Sequence, residues 1–382
     1  MASHSAAAKR VTPEWRLLEL TTLGLTAEDQ TKEFERLVRG DKLNWGDILD
    51  QAIRHKVISL LAHQIGETGL WDAVPSKLGE HLRETLRVCR YRVKVYREAA
   101  VVIAATLREH GVRVACTKGI VLEQTVYDGK GQRFFGDIDF MICPEDGEKV
   151  TDALHRLGYV NGYLDQTSGK IQSFTRRDLI AYRLNPDHLP AFVKTLDDVV
   201  MPHVHVDFAC SLTWTQCKYQ APVSEALADV PLIEVPGTNG RTIPSLNLHY
   251  LFIFTVLHLF REAWVLNWID LGQDVNLIKF GDVIRLWTRF REQLATNEFR
   301  RLLQRVQLEE PIAWVLVHAD RTFGVGMAKA LDLDKKVTED FLASGSPRGG
   351  QQIRWHGTML DRLQARDRRN LLTRTAESIA TP

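Results

Sequence analysis

The chain has 382 residues, enough for two or three domains. A hydrophobic fraction of 45% and a charged fraction of 25% describe an ordinary globular protein, and a net charge of +1 makes no case for a nucleic-acid or membrane partner. The opening stretch, MASHSAAAKRVTPEWR, lacks the apolar run of a secretory signal, and five scattered cysteines without a Cys-x-x-Cys pair (Cys89, Cys116, Cys143, Cys210, Cys217) fit a reducing cytoplasm.

Residues 1 to about 12 read as a tail, and the pattern is helical from there to about Tyr96. Thr26 is placed to cap one helix. Between residues 44 and 65, Trp45, Ile48, Leu49, Ala52, Ile53, Val57, Leu60, Leu61 and Ile65 recur at helical spacing and mark one buried face. Pro75-Ser76 opens a long helix over 77–110 with a basic middle (Arg83, Arg87, Arg90, Arg92, Lys94, Arg97), read as a solvated face with an anion-binding wall as the alternative.

Strands are predicted at 112–116 and 138–143, with a helix over 145–157 that ends at Gly158. Further strands are predicted at 174–184 and 204–212, separated by a turn at Asn185-Pro186-Asp187. Helices resume over 247–260, 270–294 and 298–306, where Trp264, Trp268 and Trp287 suggest a substantial core. The most apolar stretch, 246–269, is broken by His249, His258, Arg261 and Glu262, so it reads as buried helix and not as a membrane span. Ser344-Gly-Ser-Pro-Arg-Gly-Gly has linker composition, and an Arg-rich helix is predicted over 353–375.

The order of elements predicts an α+β fold, a small mixed β-sheet with helices packed on it. Four regions are expected: an N-terminal helical region (1–95), the sheet core (96–240), a C-terminal helical domain (241–343), and a linker with a tail helix (344–382).

The chemistry concentrates between residues 112 and 143. Gly136-Asp137-Ile138-Asp139-Phe140 sets two carboxylates at alternate positions of a strand start, so both point to one face. Two like charges side by side are costly unless a cation neutralises them. A third, Asp207, lies in the strand His203-Val204-His205-Val206-Asp207 and joins them if the two strands are neighbours. Oxygen ligands of this kind suit Mg²⁺, and two such ions can clamp an in-line phosphoryl displacement. Lys118, ahead of a helix start at Gly119, offers a cation and backbone N–H groups to a triphosphate. His203 and His205 share a face with Asp207. They read as flanking the magnesium site or lining the acceptor pocket, with a zinc or iron site as the weaker reading. His249 and His258 read as satisfied core histidines.

Lys118-Gly119-x-x-Leu122, Tyr127, Arg133 and Gly136-Asp137-Ile138-Asp139 together resemble the motif of the uncharacterised nucleotidyltransferase family in the DNA polymerase β-like superfamily. The resemblance spans roughly residues 40 to 320, and its specific part is 117–142. It implies a two-metal nucleotidyltransferase that moves a nucleoside monophosphate from a nucleoside triphosphate to an acceptor and releases pyrophosphate. Asp137, Asp139 and Asp207 would be the catalytic metal ligands for two Mg²⁺ ions, with Mn²⁺ as the substitute. Thr117, Lys118, Gly119, Arg133 and Gly136 would meet the nucleotide and its phosphates. The wider superfamily carries Gly-Ser after the first strand where this chain has Lys118-Gly119. A small hydroxylated or phosphorylated metabolite is the expected acceptor. The alternatives are a tRNA or protein acceptor, as in toxin-like relatives, or a non-catalytic nucleotide-binding protein of the same fold.

Overall fold

The computed structural model describes residues 11–376 except Asp41, Gln166, Gln216 and Gly349-Gly350. The predicted N-terminal tail lies outside the described residues apart from its last two. The chain divides into a unit of residues Met1–Arg87 and a unit of residues Val88–Pro382.

The first unit is helical. Helices α1 (Pro13–Leu23), α2 (Glu28–Val38), α3 (Trp45–Arg54) and α4 (Ile58–Glu67) bury Leu17, Leu18, Phe34, Ile48 and Leu61. Thr12 caps α1 by accepting from the Trp15 N–H at 3.2 Å, and Pro13 follows at the first helical position, where its missing N–H costs nothing. The expected cap Thr26 is corrected by one residue. Ala27 precedes α2, and Gln30 Oε1 reaches back to accept the N–H groups of Thr26 (2.9 Å) and Ala27 (3.1 Å).

Helix α5 (Ser76–Glu109) starts in the first unit and continues into the second. There follow β1 (Val114–Thr117), α6 (Lys118–Thr125), β2 (Ile138–Ile142), α7 (Gly147–Arg156), β3 (Val160–Leu164), β4 (Ile171–Ser173), α8 (Arg176–Leu184), β5 (Phe192–Thr195) and β6 (His203–Ala209). The six strands form one mixed sheet in the order β1-β2-β6-β5-β3-β4, so the fold is α+β. Within it only β2 and β6 run parallel; every other neighbouring pair is antiparallel. Alternation divides the central strands between two environments. Phe140 and Phe208 stack at 5.2 Å on one face, while Asp139 and Asp207 occupy the other.

The predicted strand over 174–184 is a helix. Thr175 Oγ1 accepts from the Asp178 N–H (3.3 Å), and the Asp178 carboxylate accepts from the Thr175 N–H (2.8 Å), a reciprocal capping box that outweighs the strand-like alternation after it. The basic middle of α5 is largely the solvated face expected, with Arg83, Arg87, Arg90 and Lys94 exposed. Arg90 Nε and Arg97 Nη2 donate to the carbonyls of Lys130 (3.2 Å) and Gly129 (2.6 Å), so two of its cations hold a loop. Gly131, at φ +68, packs so closely on Arg90 that a Cβ would lie 2.9 Å from its side chain.

After the short helix α9 (Val223–Ala226) and the hairpin β7 (Leu232–Glu234) and β8 (Thr242–Pro244), the chain is mostly helical: α10 (Leu248–Trp264), α11 (Leu266–Asp270), α12 (Leu277–Leu294), α13 (Asn297–Arg305), α14 (Glu309–Phe323), α15 (Met327–Ala330) and α16 (Glu339–Leu342). The helix predicted over 270–294 starts later, at Leu277, after a turn that follows α11. Asn276 caps it by accepting from the Lys279 N–H at 3.1 Å. Trp287 and Trp314 are fully buried, and Trp264 stacks on Phe260 at 5.3 Å. Among the described residues no helix is long and apolar enough to cross a membrane.

The predicted linker and Arg-rich helix are instead a three-stranded antiparallel sheet, β9 (Ser344–Arg348), β10 (Gln351–Trp355) and β11 (Leu372–Ala376), with the short helix α17 (Met359–Gln364) between β10 and β11. Two tail arginines point inward. Arg362 donates to Asp274 Oδ2 through Nε (2.9 Å) and Nη2 (2.8 Å), and lies over the Trp355 ring. Arg368 donates to Asp274 Oδ1. All three side chains are buried. Removing the anion from two buried cations leaves charge without compensation. Asp274→Asn is therefore expected to cost about 3–5 kcal/mol in denaturant unfolding and to expose the segment after residue 344 to limited proteolysis. Wild-type stability and protease resistance in the Asp274→Asn variant would show that the cluster does not anchor the tail.

Candidate active site

The site is built where β1, β2 and β6 lie side by side. Parallel pairing of β2 with β6 puts Asp139 opposite Asp207, and antiparallel pairing of β1 with β2 puts Thr117 opposite Asp139. Residues directly opposite share a sheet face. Asp137 enters from the residues just before β2. Carboxylate oxygens of Asp137, Asp139 and Asp207 all lie within 4.8 Å of one another. Among the described residues this is the only group of three or more potential metal ligands so assembled. His203 and His205 are not in it, so the zinc or iron reading of the His-x-His-x-Asp strand is set aside.

Lys118 is the nearest cation. Its Nζ donates to Asp139 Oδ1 at 2.6 Å, and its backbone adopts φ +47. That left-handed conformation costs a non-glycine residue on the order of 1–3 kcal/mol, a strain associated with functional positions. Burial pulls the Lys118 ammonium down, yet the charges of Asp139, Asp137 and Asp207 outweigh it and leave the group raised. Burial, then the neighbouring carboxylate, pushes Asp139 and Asp207 above the usual carboxylate range. One ammonium against three carboxylates leaves an excess of negative charge in a poorly hydrated place. Hard oxygen donors with surplus negative charge fit Mg²⁺ or a similar divalent cation. The Thr117 hydroxyl, buried on the same sheet face, has no hydrogen-bond partner among the described residues.

The remaining expected phosphate contacts each have a structural partner or packing role within the chain. Arg133 is buried and donates to Asp282 on α12 through Nε (2.8 Å) and Nη2 (2.5 Å), and the Tyr127 hydroxyl donates to the same carboxylate (2.8 Å). Arg133 thus has a carboxylate partner in place of a phosphate, and it ties the loop to α12. Gly119 is needed for packing, since a Cβ there would lie 2.7 Å from Phe135 Cβ and Cγ. The Gly136 carbonyl accepts from the Tyr96 hydroxyl (2.5 Å), which fixes the backbone just ahead of Asp137.

Sequence reasoning missed a second layer. His188 lies close enough to Asp139 and Asp207 to favour their ionised forms. Its partner Asp187 also accepts from Thr215 (2.9 Å) and pairs with Arg261 (3.2 Å). Burial opposes ionisation of Asp187, but these contacts hold its pKa down at about 2. Phe254, His258 and Arg261 recur along α10 at helical spacing on one face. Lys118 lies 5.9 Å from the Phe254 ring, and the cations Lys118, Lys279 and Arg261 add to burial in holding His258 well below its usual range. The available signal was a set of polar residues at i+4 and i+7 from Phe254 in an otherwise apolar helix.

On the other side of Asp207, the His203 and His205 rings meet edge-on with centroids 4.9 Å apart. Burial lowers both imidazoles, and Arg92 lowers them further.

A small mixed sheet carrying alternate carboxylates at one strand start and a third in register on the next strand, with a lysine at the first strand's end, is of the nucleotidyltransferase class. The model of the family described as "Uncharacterised nucleotidyltransferase" matches residues 41–324, and the chain belongs to that family. No curated protein matches it.

The loop that delivers Asp137 hangs on Glu123. Its buried carboxylate accepts the N–H groups of Gly131 (2.5 Å) and Arg133 (2.8 Å). Burial nonetheless lifts its pKa from the ordinary 4.5 to about 7, against those N–H groups, Arg97 and Arg133. A carboxyl raised on folding contributes stability that is complete below 4.5 and lost as pH rises through about 7. The contribution is roughly 3 kcal/mol. Urea unfolding across that window should therefore show a fall in stability that Glu123→Gln flattens; an equally steep fall in the variant would refute the assignment. Gly119→Ala forces a methyl into Phe135 and is expected to cost about 1–3 kcal/mol in the same assay.

Proposed function

We propose that the protein is a metal-dependent nucleotidyltransferase that moves a nucleoside monophosphate from a nucleoside triphosphate to a small-molecule acceptor and releases pyrophosphate. The observation that carries this reading is the convergence of Asp137, Asp139 and Asp207 beside Lys118, in a chain of a family described as nucleotidyltransferases.

Asp137 and Asp139 would hold two divalent cations, with Asp207 completing one site. When bound, the cations supply positive charge to the phosphoryl oxygens and to the attacking and leaving oxygens. The chain's own groups do the rest. Lys118 offers its ammonium to the triphosphate once other cations take over the carboxylates. Arg261 and Lys279, held by Asp187 and Glu262, add positive field on that side. Asp207 lies at the opposite edge of the triad and faces the acceptor hydroxyl. The protein needs to contribute position and charge, with no covalent step of its own.

The cations that could have favoured an RNA acceptor are largely engaged within the protein. Arg90 and Arg97 hold a loop, and Arg362 and Arg368 are buried on Asp274. That supports a small acceptor over a tRNA end.

The decisive experiment incubates the protein with each of the four nucleoside triphosphates, Mg²⁺ and a metabolite extract, and follows pyrophosphate. Release with at least one nucleotide is expected. It should fall by on the order of a hundredfold or more in Asp137→Asn and in Asp139→Asn, and chelation of the metal should abolish it. Turnover that survives both substitutions would sink the proposal.

A further inference from the structure

Strand β6 is longer than its overlap with β2. Pairing with β2 begins at Val206 opposite Ile138, so His203, Val204 and His205 run on beyond the start of β2 with only β5 alongside. His203 and His205 are on the face that carries Asp207, and His205 is about 7 Å along the strand from it. Gly136 lies just before the start of β2, and a Cβ on it would meet nothing within 4 Å.

Arg92 of α5 comes to this place. It is one helical turn before Tyr96, whose hydroxyl is fixed on the Gly136 carbonyl. The Arg92 guanidinium lies 5.5 Å from the Phe134 ring and 5.9 Å from the Tyr96 ring, and its Nη2 donates to the Tyr96 hydroxyl at 3.4 Å. The buried Nε of Arg92 and the buried Nδ1 of His203 have no hydrogen-bond partner among the described residues. The carboxylate of Asp198, which meets Tyr91 on the same helix, is already engaged by the N–H groups of Val200 and Met201, both at 2.8 Å. A guanidinium beside two imidazoles, set against aromatic rings and with the Arg92 Nε–H donor unused, suits an anion.

We infer that the pocket of Arg92, His203 and His205 is the acceptor subsite, and that the acceptor is a hydroxyl compound carrying a phosphate or carboxylate group. This rests on the nucleotidyl-transfer reading, which places the acceptor hydroxyl at Asp207. The spacing from Asp207 to His205 sets the size: hydroxyl and anion are separated by a short chain of a few atoms. The triphosphate, on the Lys118 side, does not compete for this site.

Three compounds of one skeleton test the inference by binding alone: glycerol 3-phosphate, glycerate and glycerol. Each is titrated into the full chain and followed by calorimetry and by the histidine C2–H resonances, with His203→Gln and His205→Gln to assign the signals. Inorganic tripolyphosphate with Mg²⁺ is titrated in parallel as a probe of the donor side. At least one of the two anionic compounds should bind about tenfold or more tighter than glycerol and shift the His203 and His205 signals. Whether phosphate or carboxylate wins identifies the group. Arg92→Gln should lose that advantage, Arg92→Lys should recover part of it, and the tripolyphosphate affinity should stay within about twofold in both. Equal binding of all three compounds, binding of none, an unchanged affinity in Arg92→Gln, or a parallel loss of tripolyphosphate binding overturns the inference. Anion binding that behaves as expected in a protein whose turnover survives Asp137→Asn would overturn the transfer reading, and the acceptor role with it, while leaving the anion site itself standing.

Discussion

The site depends on one strand pairing. β2 and β6 run parallel and in a register that sets Asp139 directly beside Asp207. A slip of one residue would turn one of those carboxylates into the aromatic layer and bring Phe140 or Phe208 to the solvent side. The register is held from below by the stack of those two rings, with Phe192 against Phe208 at 5.8 Å. The hydrophobic face thus sets the geometry of the acidic one. Repulsion among the carboxylates is tolerated because burial of that layer and the Lys118 ion pair offset it.

Around this centre the protein uses buried ion pairs to hold elements in place. Asp282 takes Arg133, Asp274 takes Arg362 and Arg368, and Asp187 takes His188 and Arg261. Each carboxylate has at least one arginine partner far away in the chain, so each joins distant segments. Such pairs contribute little net stability compared with apolar packing, but breaking one by removing a single partner is expensive. They therefore specify arrangement more than they add strength. Lys118, paired with Asp139 in the triad, and Arg92, which donates to the Tyr96 hydroxyl, are cations outside these three clusters.

Much of the site was legible in the sequence because its signals are local. Alternation at Asp137 and Asp139 needs only a strand, and the Lys118-Gly119 step needs only a strand running into a helix. Asp207 required one further assumption, that its strand is a neighbour of β2. What was not legible depends on distant partners. Nothing near Arg133 announces Asp282, which lies 149 residues away. The tail arginines read as a solvated helix because Asp274, which draws two of them inward, is far upstream. The α8 segment was misread for the opposite reason. There the deciding signal is local, the Thr175-x-x-Asp178 box, and it overrides the alternating residues that follow. The short strands β3, β4 and β5 carry few residues each, too few for periodicity to register.

The parallel pairing of β2 and β6 also has a consequence for how the chain reaches its native state. Parallel neighbours cannot be joined by a tight turn, and here the connection includes α7, three strands and α8. Asp139 and Asp207 are brought together only after about 70 residues of intervening chain have been ordered, a closure whose entropic cost precedes any contact that rewards it. Until β2 and β6 pair, the aromatic layer beneath the acidic centre is open to water. Protein emerging from the ribosome would carry β1 and β2 exposed for the whole time that the rest of the sheet is being made.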